Sequence, residues 1–200
     1  VGYAIEYNNK KIVISGDMSK NIRFMVKDLE NNIVTGLFLV VLVLFLFMGF
    51  VNSIFVALAI PFSMLISFIV LSMMSITLNM IVLFSLILAL GMLVDNAIVI
   101  VENIYRHLQQ GKDRLQASMD GVKEVGWPVI ASTATTLAVF GPLMFWPGIM
   151  GEFMGYLPKT LTITLTASLF VALVINPVIC SRFMRNKGKV QKISLRERKD

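Results

Sequence analysis

Apolar residues arrive along this chain in blocks of about twenty, separated by short breaks that carry glycine, proline or polar side chains. Five such blocks, at residues 33–50, 54–74, 78–105, 127–146 and 158–183, are each long enough to cross a bilayer core as a helix. The rhythm is not the two-residue alternation of a strand, and the blocks are too long for barrel strands. The pattern therefore predicts an all-α integral membrane fold, a five-helix transmembrane bundle.

Outside the blocks the pattern changes. Residues 1–7 and 11–15 are short alternating or apolar runs that read as strands, with an Asn8-Asn9 turn between them. Residues 1–16 thus read as the end of an extracytoplasmic domain. From Asp17, a predicted N-cap, Ile22, Met25, Val26, Leu29 and Ile33 fall at helical spacing, so 17–32 is an amphipathic helix leading into the first span. Breaks are expected at Val51-Asn52-Ser53 and at Ser75-Ile76-Thr77. Pro61 interrupts the second span, and Asn176-Pro177 reads as a kink in the fifth. Residues 106–126 form the one long polar connection, and 147–157 is a glycine-rich one.

Composition strengthens the membrane reading, since 56% of the 200 residues are hydrophobic against about 45–50% in soluble domains. Cys180 is the only cysteine, so neither a disulfide nor a thiol metal site forms within the chain. The net charge of +6 resides in the tail, where 182–200 holds eight Lys and Arg against Glu197 and Asp200. A basic run after a spanning helix marks the cytoplasmic side; a lipid or nucleic-acid patch is the sharper alternative. Placing the tail inside puts four cations of 106–126 and eight of the tail on the cytoplasmic side, against five before residue 33 plus Lys159. This predicts an N-terminus outside the cytoplasm and a C-terminus inside it. An exported start needs a preceding signal or span, and the chain begins with Val1, so the expectation is a fragment of a longer protein.

One residue breaks the apolar pattern where it is most costly. Asp95 lies about four residues, roughly 6 Å, past the midpoint of the 78–105 span, and an ionisable group at that depth is a functional hypothesis by default. On a helix it shares a face with Gly91, Ile98, Val99 and Glu102. Gly91 would admit another backbone at the level of the carboxylate, and Glu102 has Arg106 four residues on, the spacing of an interfacial ion pair. Asp95 has no such cation, for no Lys or Arg occurs between Lys27 and Arg106, between Lys123 and Lys159, or between Lys159 and Arg182. A low-dielectric site favours the neutral acid, and a cation brought from elsewhere favours the carboxylate. A group that alternates between the two carries a proton; the plainer reading is a permanently protonated acid bonded to a neighbouring hydroxyl. Asn96 cannot titrate but donates and accepts hydrogen bonds.

The fourth span carries Ser132, Thr133, Thr135 and Thr136. Membrane hydroxyls ordinarily bond to their own backbone or a neighbouring helix. The alternative is a water-bearing path toward Asp95, for which Ser132, Thr135 and Thr136 are the choice by i, i+3, i+4 spacing. His107 is expected at the interface. No phosphate loop, H-E-x-x-H pair or cysteine pair is present, so nucleotide hydrolysis and a zinc centre find no support, and no metal or other cofactor is expected.

Residues 91–103, G-M-L-V-D-N-A-I-V-I-V-E-N, resemble the fourth-helix signature of the resistance-nodulation-division (RND) efflux transporters, in their hydrophobe/amphiphile (AcrB-like) branch. The likeness extends from about residue 17 to 184, through Pro61, the Glu124 to Pro128 stretch and Asn176-Pro177 to Cys180. It implies that the five spans correspond to helices two to six of a twelve-helix permease, with 1–16 closing a periplasmic domain and the N-terminus thus periplasmic. It also implies a homotrimer in the bacterial inner membrane, in contact with lipid and with the remaining helices and periplasmic domains of its parent chain. Such a pump exchanges protons for drugs or other amphiphiles, driven by the proton motive force, and works with a periplasmic adaptor and an outer-membrane channel; no nucleic-acid partner is implied. In the family relay, fourth-helix carboxylates act with a lysine of the second half, which assigns proton binding to Asp95. Drug-exporting members often have two adjacent aspartates where this chain has Asp95 and Asn96, so Asn96 enters only as a hydrogen-bonding neighbour. Gly91, Glu102, Ser132, Thr135 and Thr136 are accessory positions. Two other readings stand beside this one: a protein-export helper of the Sec type from the same superfamily, and a structural or assembly subunit for which Asp95 is dispensable.

Overall fold

The computed structural model describes the backbone of residues 3–7, 10–14 and 19–184, with side chains from Arg23 onward except those of 40, 44, 47, 48 and 50–52. Strands β1 (Tyr3–Tyr7) and β2 (Lys10–Ile14) pair antiparallel, with Tyr3 opposite Ile14 and Tyr7 opposite Lys10. The expected Asn8-Asn9 turn, the Asp17 cap and the basic tail from residue 185 lie outside the described residues. From Ser19 onward the described chain is mostly helical: α1 (Ser19–Met48), α2 (Phe50–Met73), α3 (Met80–Gln109), α4 (Arg114–Phe140), α5 (Ile149–Met154), α6 (Tyr156–Phe170) and α7 (Asn176–Phe183).

The helix boundaries arise from local chemistry. The amphipathic lead-in and the first apolar block merge into the single helix α1. The break before α2 falls at Gly49, at φ +79°, rather than at residues 51–53, because glycine adopts that angle without the Cβ clash that other residues meet. Pro61 lies within α2 without ending it. The side chain of Asn79 caps α3 by accepting from the N–H groups of Ile81 and Val82 at 3.0 and 2.9 Å.

The largest departure from the sequence expectation is in 106–126. This segment is not a polar connection; α3 runs to Gln109, four residues turn the chain, and α4 begins at Arg114. Helix α4 then continues through Pro128 to Phe140, and a 3-10 turn comes next at Gly141–Phe145. The glycine-rich connection at 147–157 includes the short helix α5. In the last rod, the expected kink is a π-helical turn at Val171–Ile175, in which the N–H of Asn176 bonds to Val171 O. Pro177 supplies no N–H to the turn before it, which is the local reason for the irregularity.

Among the described residues, four helical stretches are long and apolar enough to cross a membrane: Ser53–Met73, Met80–Gln109, Arg114–Phe145 and Ile149–Phe183. The first expected span, 33–50, falls in α1 and the turn after it, where several side chains lie outside the described residues. Helix α3 is the centre of the bundle and packs against α1, α2, α4, α6 and α7. Its Val82, Leu83, Leu86, Leu93, Ile100, Val101 and Ile104 are almost wholly buried. The buried residues of α4 are different in kind: Ala117, Ser118, Gly121, Gly126, Val129 and Thr133. Small side chains let two backbones approach, and at Gly121 the approach is complete, since a Cβ there would stand 2.9 Å from Ile104 Cα.

Candidate functional site

The inward face of α3 leaves an outward stripe at helical spacing, formed by Phe84, Leu88, Gly91, Asp95, Val99, Glu102 and Arg106. Asp95 is exposed on this stripe, and among the described residues its carboxylate has no hydrogen-bond or ion-pair partner. Asn96, one residue on, turns inward and is buried. Thr133 Oγ1 of α4 donates to Asn96 Oδ1 at 3.2 Å and also lies 2.9 Å from Val129 O. On the α6 side, Ser168 Oγ donates to Leu93 O at 2.8 Å. The turn of α3 that carries Asp95 is therefore held from both neighbouring helices by hydroxyls.

A small cavity of about 110 Å³ brings Asp95 and Asn96 together with Ser132, Thr133 and Thr136, closed by Met92 and Leu165. Of the three hydroxyls favoured by sequence spacing, Ser132 and Thr136 reach this cavity. Thr135 does not; it is exposed and donates to Ala131 O at 2.9 Å. Thr136 donates to Ser132 O at 3.0 Å. Thr133, which spacing did not favour, both lines the cavity and reaches Asn96. Gly91 departs from expectation. A Cβ built on it meets nothing within 4 Å among the described residues, and the close helix approach is found at Gly121 instead.

Glu102 is also corrected. Arg106 does not pair with it but with Glu124 of α4, at 2.5 Å. The i, i+4 rule is a local preference, and a carboxylate presented by the neighbouring helix competes successfully with it. Glu124 accepts as well from His107 Nε2 at 2.7 Å and from Asn103 Nδ2 at 3.3 Å, and Asn103 donates to Gly121 O at 2.8 Å. His107 is buried, and among the described residues its Nδ1 has no partner. Glu102 lines a recess of about 560 Å³ beside this cluster, with Val99, Tyr105 and Gln109.

The arrangement supplies a single carboxylate at mid-span, a polar cavity beside it and, among the described residues, no cation at its depth. Residues 7–198 match the family model described as AcrB/AcrD/AcrF. The chain is 36% identical over 173 residues to the multidrug resistance protein MdtC of Pectobacterium carotovorum, covering 86% of this chain and 17% of that protein. It is 34% identical over 184 residues to MdtC of Photorhabdus laumondii, with 91% and 18% covered, and 34% identical over 181 residues to MdtC of Escherichia coli O139:H28, with 90% and 18% covered. The chain thus spans less than a fifth of the length of these relatives. With nearly the whole of its length matched, the chain belongs to the AcrB/AcrD/AcrF family of RND efflux permeases.

Proposed function

We propose that this chain contributes the proton-binding half of a relay that drives multidrug efflux across the bacterial inner membrane, with Asp95 as the proton carrier. The observation that carries this reading is the position of Asp95 on the open face of the central helix, beside a cavity lined by Ser132, Thr133 and Thr136. Such a carboxylate is stable when neutral, and it ionises when a cation comes within a few ångströms. A lysine from a segment packed on the outward stripe of α3 would supply that cation. Loading and release of one proton then become linked to whether the two faces are engaged.

In this reading Ser132 and Thr136 carry water to the carboxylate, and Asn96 holds the helix in rotation through Thr133 rather than taking a proton. Gly91 and Glu102 border the carboxylate on the same open face. The tail lies in the cytoplasm and residues 1–16 in the periplasm, as the distribution of Lys and Arg favours. The energy source is the proton motive force, and the working assembly is a trimer with an adaptor and an outer-membrane channel.

The test is Asp95→Asn in the full-length chain, with drug efflux and proton flux measured in everted vesicles. Expected is the loss of both, with expression, membrane insertion and oligomeric state unchanged. Efflux at the normal rate would remove Asp95 from the mechanism and leave it a structural role.

A further inference from the structure

Where the chain turns from α3 to α4, a groove of about 400 Å³ opens between the first turns of α4 and the rod formed by the π-helical turn and α7. Its walls include Leu115 and Met119 from α4 and Val174 and Val178 from the rod, all exposed, so its interior is apolar and open. Exposed apolar side chains need no explanation in a membrane helix. Two other features do.

The first is Ser118, which lines the groove at 4% exposure and whose hydroxyl has no hydrogen-bond partner among the described residues. The nearby Ser181 satisfies its own by donating to Val178 O at 2.8 Å. An unpaired hydroxyl away from water carries a desolvation cost that a bound acceptor would remove. The second is charge. Lys123 lines the groove, and the acid one turn before it, Asp120, is already held by Lys112 at 2.7 Å. Arg114 reaches across from the start of α4 to donate to Arg182 O at 3.3 Å, which places its guanidinium and the Arg182 residue at the same end of the bundle. Among the described residues none of these three cations forms an ion pair with a carboxylate.

We propose that this groove is a binding site for an anionic phospholipid. One acyl chain lies between α4 and the rod, the phosphate sits beside Arg114 and Arg182 at the end of the groove, and Ser118 and Lys123, four and nine residues further along α4, donate to lipid ester oxygens. The charge complementarity selects the headgroup, and the apolar walls distinguish a lipid from a soluble anion. The site is separate from the Asp95 cavity and does not depend on the proton relay.

The test uses the full-length chain purified in detergent, with lipid retention read by native mass spectrometry. Phosphatidylglycerol and phosphatidylethanolamine of identical acyl chains are added in turn. The unmodified protein should retain more of the former, and Arg114→Gln with Arg182→Gln should lower that excess about 25-fold, at roughly fivefold per cation. Val178→Trp, which fills the groove without changing charge, should lower it as well. Lys159→Gln, a cation of the opposite end near Asn79 and Tyr156, should leave it unchanged. Equal retention of the two lipids by the unmodified protein, or an unaltered excess in the double variant, overturns the site. Undiminished binding in Val178→Trp overturns the groove, and a matching loss in Lys159→Gln reduces the effect to net charge and overturns the proposal.

Discussion

Helix α3 carries two polar stations, one at Asp95 and Asn96 and one at Asn103 to His107, and they are built in opposite ways. At the second station every group faces α4 or reaches it, with Glu124 gathering Arg106, His107 and Asn103, and Gly121 lying directly on Ile104. At the first, only the amide of Asn96 is tied to α4, and the carboxylate beside it is left on the open face. The two differ in what they can do. A cluster bonded across two helices at the end of a span fixes them as a unit, because separating them strands several polar groups. An unmatched carboxylate at mid-span fixes nothing and remains free to change its charge and its partner.

The contrast is tested hardest at Gly121. A Cβ at this position meets the Ile104 backbone at 2.9 to 3.0 Å as well as its Cγ1, and backbone atoms do not yield as a flexible side chain does. Gly121→Ala should therefore destabilise the bundle by about 2 kcal/mol, an overpacking cost reduced by the better helix propensity of alanine. Gly91→Ala, on the open face, should cost nothing measurable. Thermal unfolding of both variants in the same detergent decides the matter. Equal losses would mean that the two faces of α3 are equally packed.

Asn103 comes next in size. Its side chain is buried, and it donates to Gly121 O at 2.8 Å and to Glu124 Oε2 at 3.3 Å. Asn103→Ala removes both bonds and leaves a space beside the glycine contact, for a loss of about 1.5 kcal/mol. The same unfolding assay reads it, and a variant as stable as the parent would show that Gly121 alone holds this end together.

These two positions also mark what a linear sequence can and cannot reveal. Asp95 stands out because hydropathy registers a charge inside an apolar run, and the apolar blocks mark most spanning helices for the same reason. The first half of α4 does not stand out. Its buried positions are Ala117, Ser118 and Gly121 and the rest include Asp120, Lys123 and Glu124, so its mean character is polar and it reads as a connection. The helix is nevertheless packed, because small residues contribute through backbone proximity, which hydropathy does not measure. Gly91 and Gly121 are alike in sequence terms, and only the neighbouring helix separates them. Likewise the Glu102 and Arg106 spacing is a valid local signal, overridden by a carboxylate 18 residues further on from Arg106 that the fold brings to it. Among the hydroxyls, spacing groups Ser132, Thr135 and Thr136 on one face of α4, whereas the cavity takes in Ser132, Thr133 and Thr136 and excludes Thr135.

The smallest predicted effect is at Thr133 and bears on the weaker station. Its one hydroxyl proton lies within reach of Asn96 Oδ1 and of Val129 O, so the link between α3 and α4 is shared with an ordinary bond back to its own helix. Thr133→Val keeps the side-chain shape and removes the donor. The expected loss is about 0.6 kcal/mol, the usual scale for a hydrogen bond between membrane helices, and Thr133→Ser should recover it. A loss at Thr133→Val equal to that at Asn103→Ala would show Asn96 to be clamped as firmly as the end of the span, and the turn bearing Asp95 would then be as fixed as the station below it. A loss near the smaller value leaves that turn held lightly on its α4 side, with Ser168 as its tie to α6, which is the mechanical condition for a carboxylate that must meet a cation in one state and withdraw from it in the next.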